Sequence, residues 1–311
     1  MHRSGQRVYR LLIVMVSAAA VFFMAAWASA QNLYVSEAGT LAPPALGSTG
    51  AVTYVEPNGT VNPPIISGLE DPYALAFDNA GDLFIGTRER IIEITPNGTQ
   101  STFASGFATT SLAFNSQGDL FAGSGSSILE FTPGGTRTTF ATLEFQQEIK
   151  GLAFNSAGNL FVSESALSMS AIFEYTPGGV QSTFATVVGA PTGMAFNGAD
   201  NLFAVNASGI IYQFTPNGTR STFATGTEGT EGLAFNSAGD LFEADRLNGT
   251  IFEYTPAGTQ SVFKSGLTSP YALAFQGEVL PVPEPSALGL MGAGTVALLA
   301  WQFGRKRQFR C

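Results

Sequence analysis

The chain has 311 residues, of which 45% are hydrophobic and only 12% charged, so it can bury a sizeable core and does not have the composition of a disordered protein. Residues 31–282 hold 22 acidic and 7 basic side chains, a formal charge of −15 that repels nucleic acid and anionic membrane. The only histidine is His2 and the only cysteine is Cys311. The chain between them therefore cannot use a disulfide, cysteine-ligated zinc, a thiol nucleophile or a histidine base.

Residues 1–30 have the pattern of a secretory signal peptide. Basic residues precede an apolar run over Leu11–Trp27, and Ala28 and Ala30 supply the small side chains that signal peptidase requires. We expect cleavage after Ala30, which makes Gln31 the first residue of the mature chain. An uncleaved membrane anchor is the alternative, because the apolar run is long for a signal core.

A repeat of about forty residues fills the chain from residue 31 to residue 278. The ten-residue element Leu75–Phe84 returns four times and a truncated copy follows at 273–275. Its first phenylalanine recurs at intervals of 37, 40, 42, 39 and 40 residues, which is the period of a propeller blade. These phenylalanines are expected to pack between neighbouring blades and are Phe77, Phe114, Phe154, Phe196, Phe235 and Phe275.

A second element places an aromatic or aliphatic strand before a Pro-Asn-Gly, Pro-Gly-Gly or Pro-Ala-Gly turn, as in Ile94–Thr99. Glycine at these positions permits the positive φ of a hairpin turn, and a short strand such as Ser101–Ala104 follows. Each repeat therefore holds four strands. The sequence predicts an all-β fold, a six-bladed β-propeller of four-stranded blades. The chain enters at a second strand (Asn32–Val35) and leaves at a first strand (Tyr271–Phe275), so both ends share one blade and close the ring.

Residues 279–311 combine a linker with a tripartite tail. Pro283, Glu284 and Pro285 precede an apolar segment, 286–303, and a basic cluster at 305–307. At about 1.5 Å per residue the apolar segment can just cross a bilayer as a helix. The tail resembles the PEP-CTERM sorting signal, which implies cleavage near Pro-Glu-Pro by an exosortase and release or transfer outside the cell. A simple C-terminal membrane anchor is the alternative and gives the same topology.

The repeats resemble the NHL-repeat and gluconolactonase-like six-bladed propellers over residues 32–276. The resemblance is carried by Asp71–Ala76, by Ser269–Ala274 and by the Asn-Ser-Ala-Gly-Asp-Leu-Phe and aromatic-Thr-Pro turns. It implies the fold, and hydrolytic members hold a divalent cation in the central channel. The residues that follow the second strands include four possible oxygen ligands for such a cation, which are Glu37, Glu164, Asn206 and Asp245. The alternative is that these polar residues cap hairpin backbone groups.

Charged residues also lie before the first strands, at the rim of the predicted channel, and they are Glu70, Asp71, Glu148, Lys150, Glu228 and Glu231. They are expected either to form an acidic mouth for a cationic or polyhydroxylated ligand or to be ordinary solvated loop residues. The loops that depart most from the repeat follow Glu37 and span 142–150 and 164–171, and we expect binding there.

The functional prediction is an exported, exosortase-sorted module of the cell surface or extracellular matrix. It would bind without catalysis, and its partners would be signal peptidase, exosortase and an exopolysaccharide or surface protein. No nucleic acid and no cofactor is predicted, Ca²⁺ being the single candidate, and the C-terminal helix would anchor the chain in the membrane transiently. The alternatives are a divalent-cation-dependent, lactonase-like hydrolase using the four residues above, and a purely structural matrix component.

Overall fold

The computed structural model describes residues 31–39, 49–144, 148–165, 170–187, 189, 191–226 and 228–277. All regular structure in these ranges is β-strand, and within them no helix is long and apolar enough to cross a membrane. The strands form six antiparallel sheets of four strands each. The predicted six-bladed propeller is confirmed.

The strands follow the chain in this order: β1 (Leu33–Glu37), β2 (Gly50–Val55), β3 (Ile66–Leu69), β4 (Ala74–Phe77), β5 (Leu83–Gly86), β6 (Arg90–Ile94), β7 (Gln100–Ser105), β8 (Ser111–Phe114), β9 (Leu120–Ser124), β10 (Ser127–Phe131), β11 (Arg137–Thr142), β12 (Glu148–Phe154), β13 (Leu160–Ser165), β14 (Ser170–Tyr175), β15 (Gln181–Val187), β16 (Pro191–Phe196), β17 (Leu202–Asn206), β18 (Ile210–Phe214), β19 (Arg220–Thr225), β20 (Thr230–Phe235), β21 (Leu241–Asp245), β22 (Thr250–Tyr254), β23 (Gln260–Ser265) and β24 (Pro270–Phe275).

Both chain ends contribute to the first blade. Its strand order is β24-β1-β2-β3, and Leu33 of β1 pairs with Phe275 of β24. The remaining blades each use four consecutive strands, from β4–β7 for the second blade to β20–β23 for the sixth, with the first-named strand innermost. The predicted closure of the ring by its two ends is therefore confirmed, and it pairs strand edges that would otherwise be exposed.

Gln31 stabilises this closure at the N-terminal end of the propeller. Its side-chain Nε2 donates to the main-chain oxygen of Gln276 over 3.2 Å, and its Oε1 accepts from the main-chain N–H of Ser237 over 2.8 Å. The N–H of Gln276 donates to the carbonyl of Asn32 over 3.3 Å. One side chain thus links the beginning of the propeller to its last strand and to the sixth blade.

Aromatic rings connect each blade to the next. Phe84 of β5 lies 5.1 Å from Phe103 of its own blade and 5.0 Å from Phe114 of the third blade, nearly edge-on to both. Such T-shaped pairs add to the stabilisation from burial. The same arrangement recurs for Phe121, Phe161, Phe203 and Phe242, while Tyr34 takes the equivalent place in the first blade and contacts Phe77. The predicted packing of the repeated phenylalanines between blades is confirmed.

Glycine on the innermost strands lets neighbouring blades approach closely. A Cβ atom at Gly193 would lie 2.5 Å from the main-chain oxygen of Glu231, and one at Gly232 would lie 2.4 Å from that of Tyr271. Both separations are shorter than any non-bonded carbon contact. The absence of a side chain at these two positions therefore keeps the central channel narrow.

Candidate binding site at the channel mouth

The central channel is lined by the innermost strand of every blade and encloses a cavity of about 80 Å³. Each strand enters the channel with a residue four positions before its repeated phenylalanine. These six equivalent residues surround one mouth of the channel and are Tyr73, Thr110, Lys150, Thr192, Glu231 and Tyr271. Although the blades repeat, this ring is chemically asymmetric.

The two threonines of the ring connect neighbouring blades by hydrogen bonds. Thr110 Oγ1 donates to the carbonyl of Ile149 over 2.8 Å, and Thr192 Oγ1 donates to the carbonyl of Thr230 over 2.8 Å. Each acceptor belongs to the next blade along the ring. Because these two hydroxyls bridge neighbouring blades, the ring residues that remain to contact a ligand are two tyrosines, one lysine and one glutamate.

Tyr73 and Tyr271 form an aromatic pair at the mouth, with ring centroids 4.9 Å apart and ring planes at 51°. Two residues before each tyrosine, the backbone adopts a positive φ in a residue other than glycine, 49° at Asp71 and 57° at Ser269. In both cases a proline follows, which further restricts the preceding residue. Strain of this kind persists where the surrounding structure enforces it and is concentrated at functional sites.

Glu231 is held beside the tyrosine pair with only 17% of its side chain exposed. Burial raises the pKa of its carboxyl, although Arg246, Lys150 and a hydrogen bond from Tyr271 each oppose that shift. The Arg246 Nε atom lies 3.6 Å from Glu231 Oε1. Burial, together with the negative charge of Glu231, raises the pKa of the Tyr271 hydroxyl, so this hydroxyl stays protonated and able to donate.

Each basic residue at this mouth is paired with an acid. Arg88 lies 2.9 Å from Asp71, Lys150 lies 2.8 Å from Glu148, and Arg246 pairs with Glu231. Arg88 also donates a hydrogen bond to the Tyr73 hydroxyl oxygen. Of the acids that could form an acidic mouth, Asp71, Glu148 and Glu231 therefore each have a basic partner.

Two of the predicted cation ligands are engaged within or beside their own blades. Glu37 accepts from Thr53 Oγ1 over 3.2 Å and from the N–H of Thr268 over 2.6 Å. Asp245 is fully buried and accepts from the N–H and the side-chain amide of Asn248 over 3.0 and 2.8 Å. Asp245 therefore occupies the start of the β21–β22 turn and binds its backbone.

The other two predicted ligands are similarly placed. Asn206 is buried, and its Oδ1 accepts from the N–H groups of Ser208 and Ile210 over 3.1 and 2.9 Å. Glu164 is 1% exposed, and its Oε1 accepts from the N–H of Ala171 over 2.9 Å. Its second oxygen, Oε2, has no hydrogen-bond partner among the described residues. Burial raises the pKa of this carboxyl.

The hydrogen bonds of Asp245 and Asn206 match the hairpin-capping alternative. Within the ranges that the structure describes, no three histidine, cysteine, aspartate or glutamate side chains lie close enough together to hold a metal ion. The divalent-cation site at Glu37, Glu164, Asn206 and Asp245 remains a prediction. The divergent loops expected to bind lie partly outside the described residues, at 40–48, 145–147 and 166–169.

The tyrosine pair was missed as a site from sequence, although its signal was present. Tyrosine follows proline at two places in the sequence, Asp71-Pro72-Tyr73 and Ser269-Pro270-Tyr271, and both Asp71 and Ser269 have a positive φ. Pro72 packs closely against Gly50, because a Cβ atom at residue 50 would lie 2.4 Å from the Cδ atom of Pro72. Only the structure shows that the two tyrosines meet.

Comparison with known proteins identifies one segment by sequence. Residues 281–307 match the PEP-CTERM protein-sorting motif, and no curated protein matches the chain. This motif implies export and a C-terminal, membrane-anchored sorting signal that an exosortase processes. The predicted cleavage residues Ala28 and Ala30, the whole 1–30 segment and the 279–311 tail, including Pro283, Glu284 and Pro285, lie outside the described residues.

Solved structures share the propeller fold at low identity. A calcium-binding protein, regucalcin, from Agrobacterium tumefaciens has a TM-score of 0.55 at 16% identity and covers 62% of this chain and 73% of its own. Virginiamycin B lyase from Staphylococcus aureus has a TM-score of 0.57 at 15% identity, covering 79% and 94%. At these identities the likeness shows the fold alone. The chain therefore combines a PEP-CTERM sorting motif at residues 281–307 with a six-bladed β-propeller.

Proposed function

We propose that the propeller is a noncatalytic binding module, displayed at the cell surface or in the extracellular matrix, whose channel mouth takes an uncharged polyhydroxylated ligand such as a segment of exopolysaccharide. The observation that carries this proposal is the Tyr73–Tyr271 pair, presented at the mouth by two strained backbone positions. Aromatic faces with a few convergent polar groups are typical of ligand sites.

The charge distribution favours an uncharged ligand. Arg88, Lys150 and Arg246 already lie beside acidic partners at 2.9, 2.8 and 3.6 Å, so an added ionic group would have to displace an existing pair. The Tyr271 hydroxyl, which donates to the Glu231 carboxylate, and that carboxylate instead offer acceptor lone pairs side by side. Sugar hydroxyls can serve both groups at once.

The residues present argue against catalysis at this mouth. Among the solved propellers is a virginiamycin B lyase described as catalytically inactive after one histidine was replaced by alanine. The present chain has its only histidine at position 2, within the predicted signal peptide. General acid–base chemistry would therefore depend on Glu231, Lys150 or a tyrosine. Glu231 is already bound to Arg246 and Tyr271, and Lys150 is already bound to Glu148.

The ligand class can be tested with the domain of residues 31–277, which contains both ends of the closed ring. We expect binding to at least one member of a panel of neutral glucans and galactans, with an affinity that changes little with added salt because no ion pair forms. Binding confined to acidic glycans such as polygalacturonate, or to none of the panel, contradicts the proposal.

A cation-dependent, lactonase-like hydrolase remains a second candidate because of one observation, the buried Glu164 Oε2 that has no partner among the described residues. Ca²⁺ at 100 times its dissociation constant would stabilise the fold by about 2.7 kcal/mol. The binding proposal predicts no shift in unfolding temperature between Ca²⁺ and chelator. A calcium-dependent rise that Glu164→Gln abolishes and Glu174→Gln preserves, together with lactone hydrolysis, would establish the enzyme instead.

A further inference from the structure

The two ends of the described propeller leave from one point. Gln31 and Gln276 are joined by the 3.2 Å hydrogen bond already described, and Gly277 follows directly. Phe275 lies at the opposite end of β24 from Tyr271. The chain ends therefore lie on the face opposite the channel mouth, which we call the turn face. It also carries the first turns of the other blades, at 78–82, 115–119, 155–159, 197–201 and 236–240.

The distance from the turn face to the sorting segment is short. The matched motif begins at residue 281, and the apolar segment begins at Ser286, nine residues after Gly277. Nine residues span at most about 30 Å even when fully extended. While the sorting segment is in the membrane, this tether limits how far the propeller can move from the bilayer.

We propose that the turn face is directed towards the membrane surface while the sorting segment is in place, so that the Tyr73–Tyr271 mouth is directed away from the cell. The tether leaves from the turn face, and a propeller lying with its mouth on the bilayer would have to route nine residues around its own rim. The position of Gln31 supports the same orientation, since the predicted signal peptide would leave from this point before its removal.

The acidic residues of these five turns indicate that the turn face stands off from the lipid headgroups. The five turns contain Asp78, Asp82, Asp119, Asp200 and Asp240, and none of them contains lysine or arginine. Carboxylates are repelled by anionic lipids within about one Debye length, some 8 Å at physiological ionic strength. The tether therefore sets the orientation, and the acidic turns limit how closely the face approaches.

Two positions in the sixth blade allow a matched measurement. Ala238 is exposed in the turn before β21, and Leu247 is 65% exposed just after it. The five residues of β21 separate them by roughly 17 Å. In the full chain carrying Cys311→Ser, we would introduce Ala238→Cys or Leu247→Cys, attach a fluorophore and reconstitute each variant in phosphatidylcholine vesicles containing headgroup spin-labelled lipid.

We expect loss of fluorescence for the label at 238 and none for the label at 247. Equal quenching, or stronger quenching at 247, overturns the proposal. A second pair, Ala80→Cys and Glu89→Cys, flanks β5 in the second blade and repeats the comparison if either first variant fails to fold. Adding phosphatidylglycerol should reduce quenching at 238, and unchanged quenching would refute the stand-off. Neither pair depends on a ligand, so this result is separate from the glycan test.

Discussion

Tyr73 and Tyr271 lie 4.9 Å apart at the channel mouth, although 198 positions separate them in the sequence. Tyr73 belongs to the second blade, whereas Tyr271 is on β24, the C-terminal strand that closes the first. The pair can form only after the C-terminal strand has joined the ring. The candidate binding site and the completed propeller therefore appear together during folding.

The strained backbone at Ser269 predicts an unusual stabilising substitution. A left-handed backbone conformation costs about 1–2 kcal/mol in a residue that has a Cβ atom. Glycine avoids this cost, although it loses more backbone entropy on folding, and that loss costs less. Ser269→Gly should therefore raise the free energy of unfolding by about 0.5–1 kcal/mol, as measured by urea denaturation. Ser269→Ala keeps the Cβ and should bring no such gain. A less stable glycine variant would show that residue 269 is not strained.

Close packing around the channel predicts that Gly232 cannot accept a side chain. The Cβ of Gly232→Ala would lie 2.4 Å from the Tyr271 main-chain oxygen, so β20 and β24 would have to separate. We expect a loss of about 1–3 kcal/mol in thermal or urea unfolding. Gly198→Ala is the matched control, because apart from its chain neighbours no described residue has a heavy atom within 4 Å of its Cβ position. Equal effects of the two substitutions would refute the close approach of these strands.

The raised pKa of Glu231 predicts a pH-dependent contribution to stability. In the unfolded chain this carboxyl has its ordinary pKa of 4.5, while burial raises it in the folded protein. Between the two values the folded state binds more protons, so this contribution falls as pH rises through that window. Glu231→Gln removes the titration, and its stability relative to the wild type should therefore increase with pH above 4.5 and then level off.

The control for this titration is Glu89→Gln, which removes one negative charge from an exposed position. Urea denaturation of both variants and the wild type at a series of pH values separates a buried carboxyl from a general charge effect. The same pH-dependent difference in both variants would contradict a special environment at Glu231.

The fold was predictable because each blade is a local unit repeated along the chain. The spacing of Phe77 and its equivalents, with the Pro-Asn-Gly turns, was enough to infer the strands, the number of blades and the shared first blade. Few folds are built from a repeat of about forty residues. The repeated phenylalanines themselves form the contacts between blades.

The site was less predictable because it depends on the directions of side chains within a repeat. The sequence placed Lys150 and Glu231 at the rim but gave no indication that Arg246, from a different turn, would pair with Glu231. Nor could it distinguish Thr110, whose hydroxyl bridges two blades, from Tyr73 at the equivalent position. For Asp245 it left capping and cation binding open, and the structure places its carboxylate on the backbone of Asn248.

The most direct test of a binding site at the channel mouth is calorimetric titration of the 31–277 domain with the best neutral oligosaccharide of the panel. Tyr271→Ala removes half of the aromatic pair, whereas Tyr212→Ala removes a ring that lies beside Arg220 on the outer part of the fifth blade. We predict at least a tenfold weaker association, about 1.4 kcal/mol, for Tyr271→Ala and unchanged association for Tyr212→Ala. Unchanged affinity in a folded Tyr271→Ala domain would contradict the assignment of the mouth as the binding site.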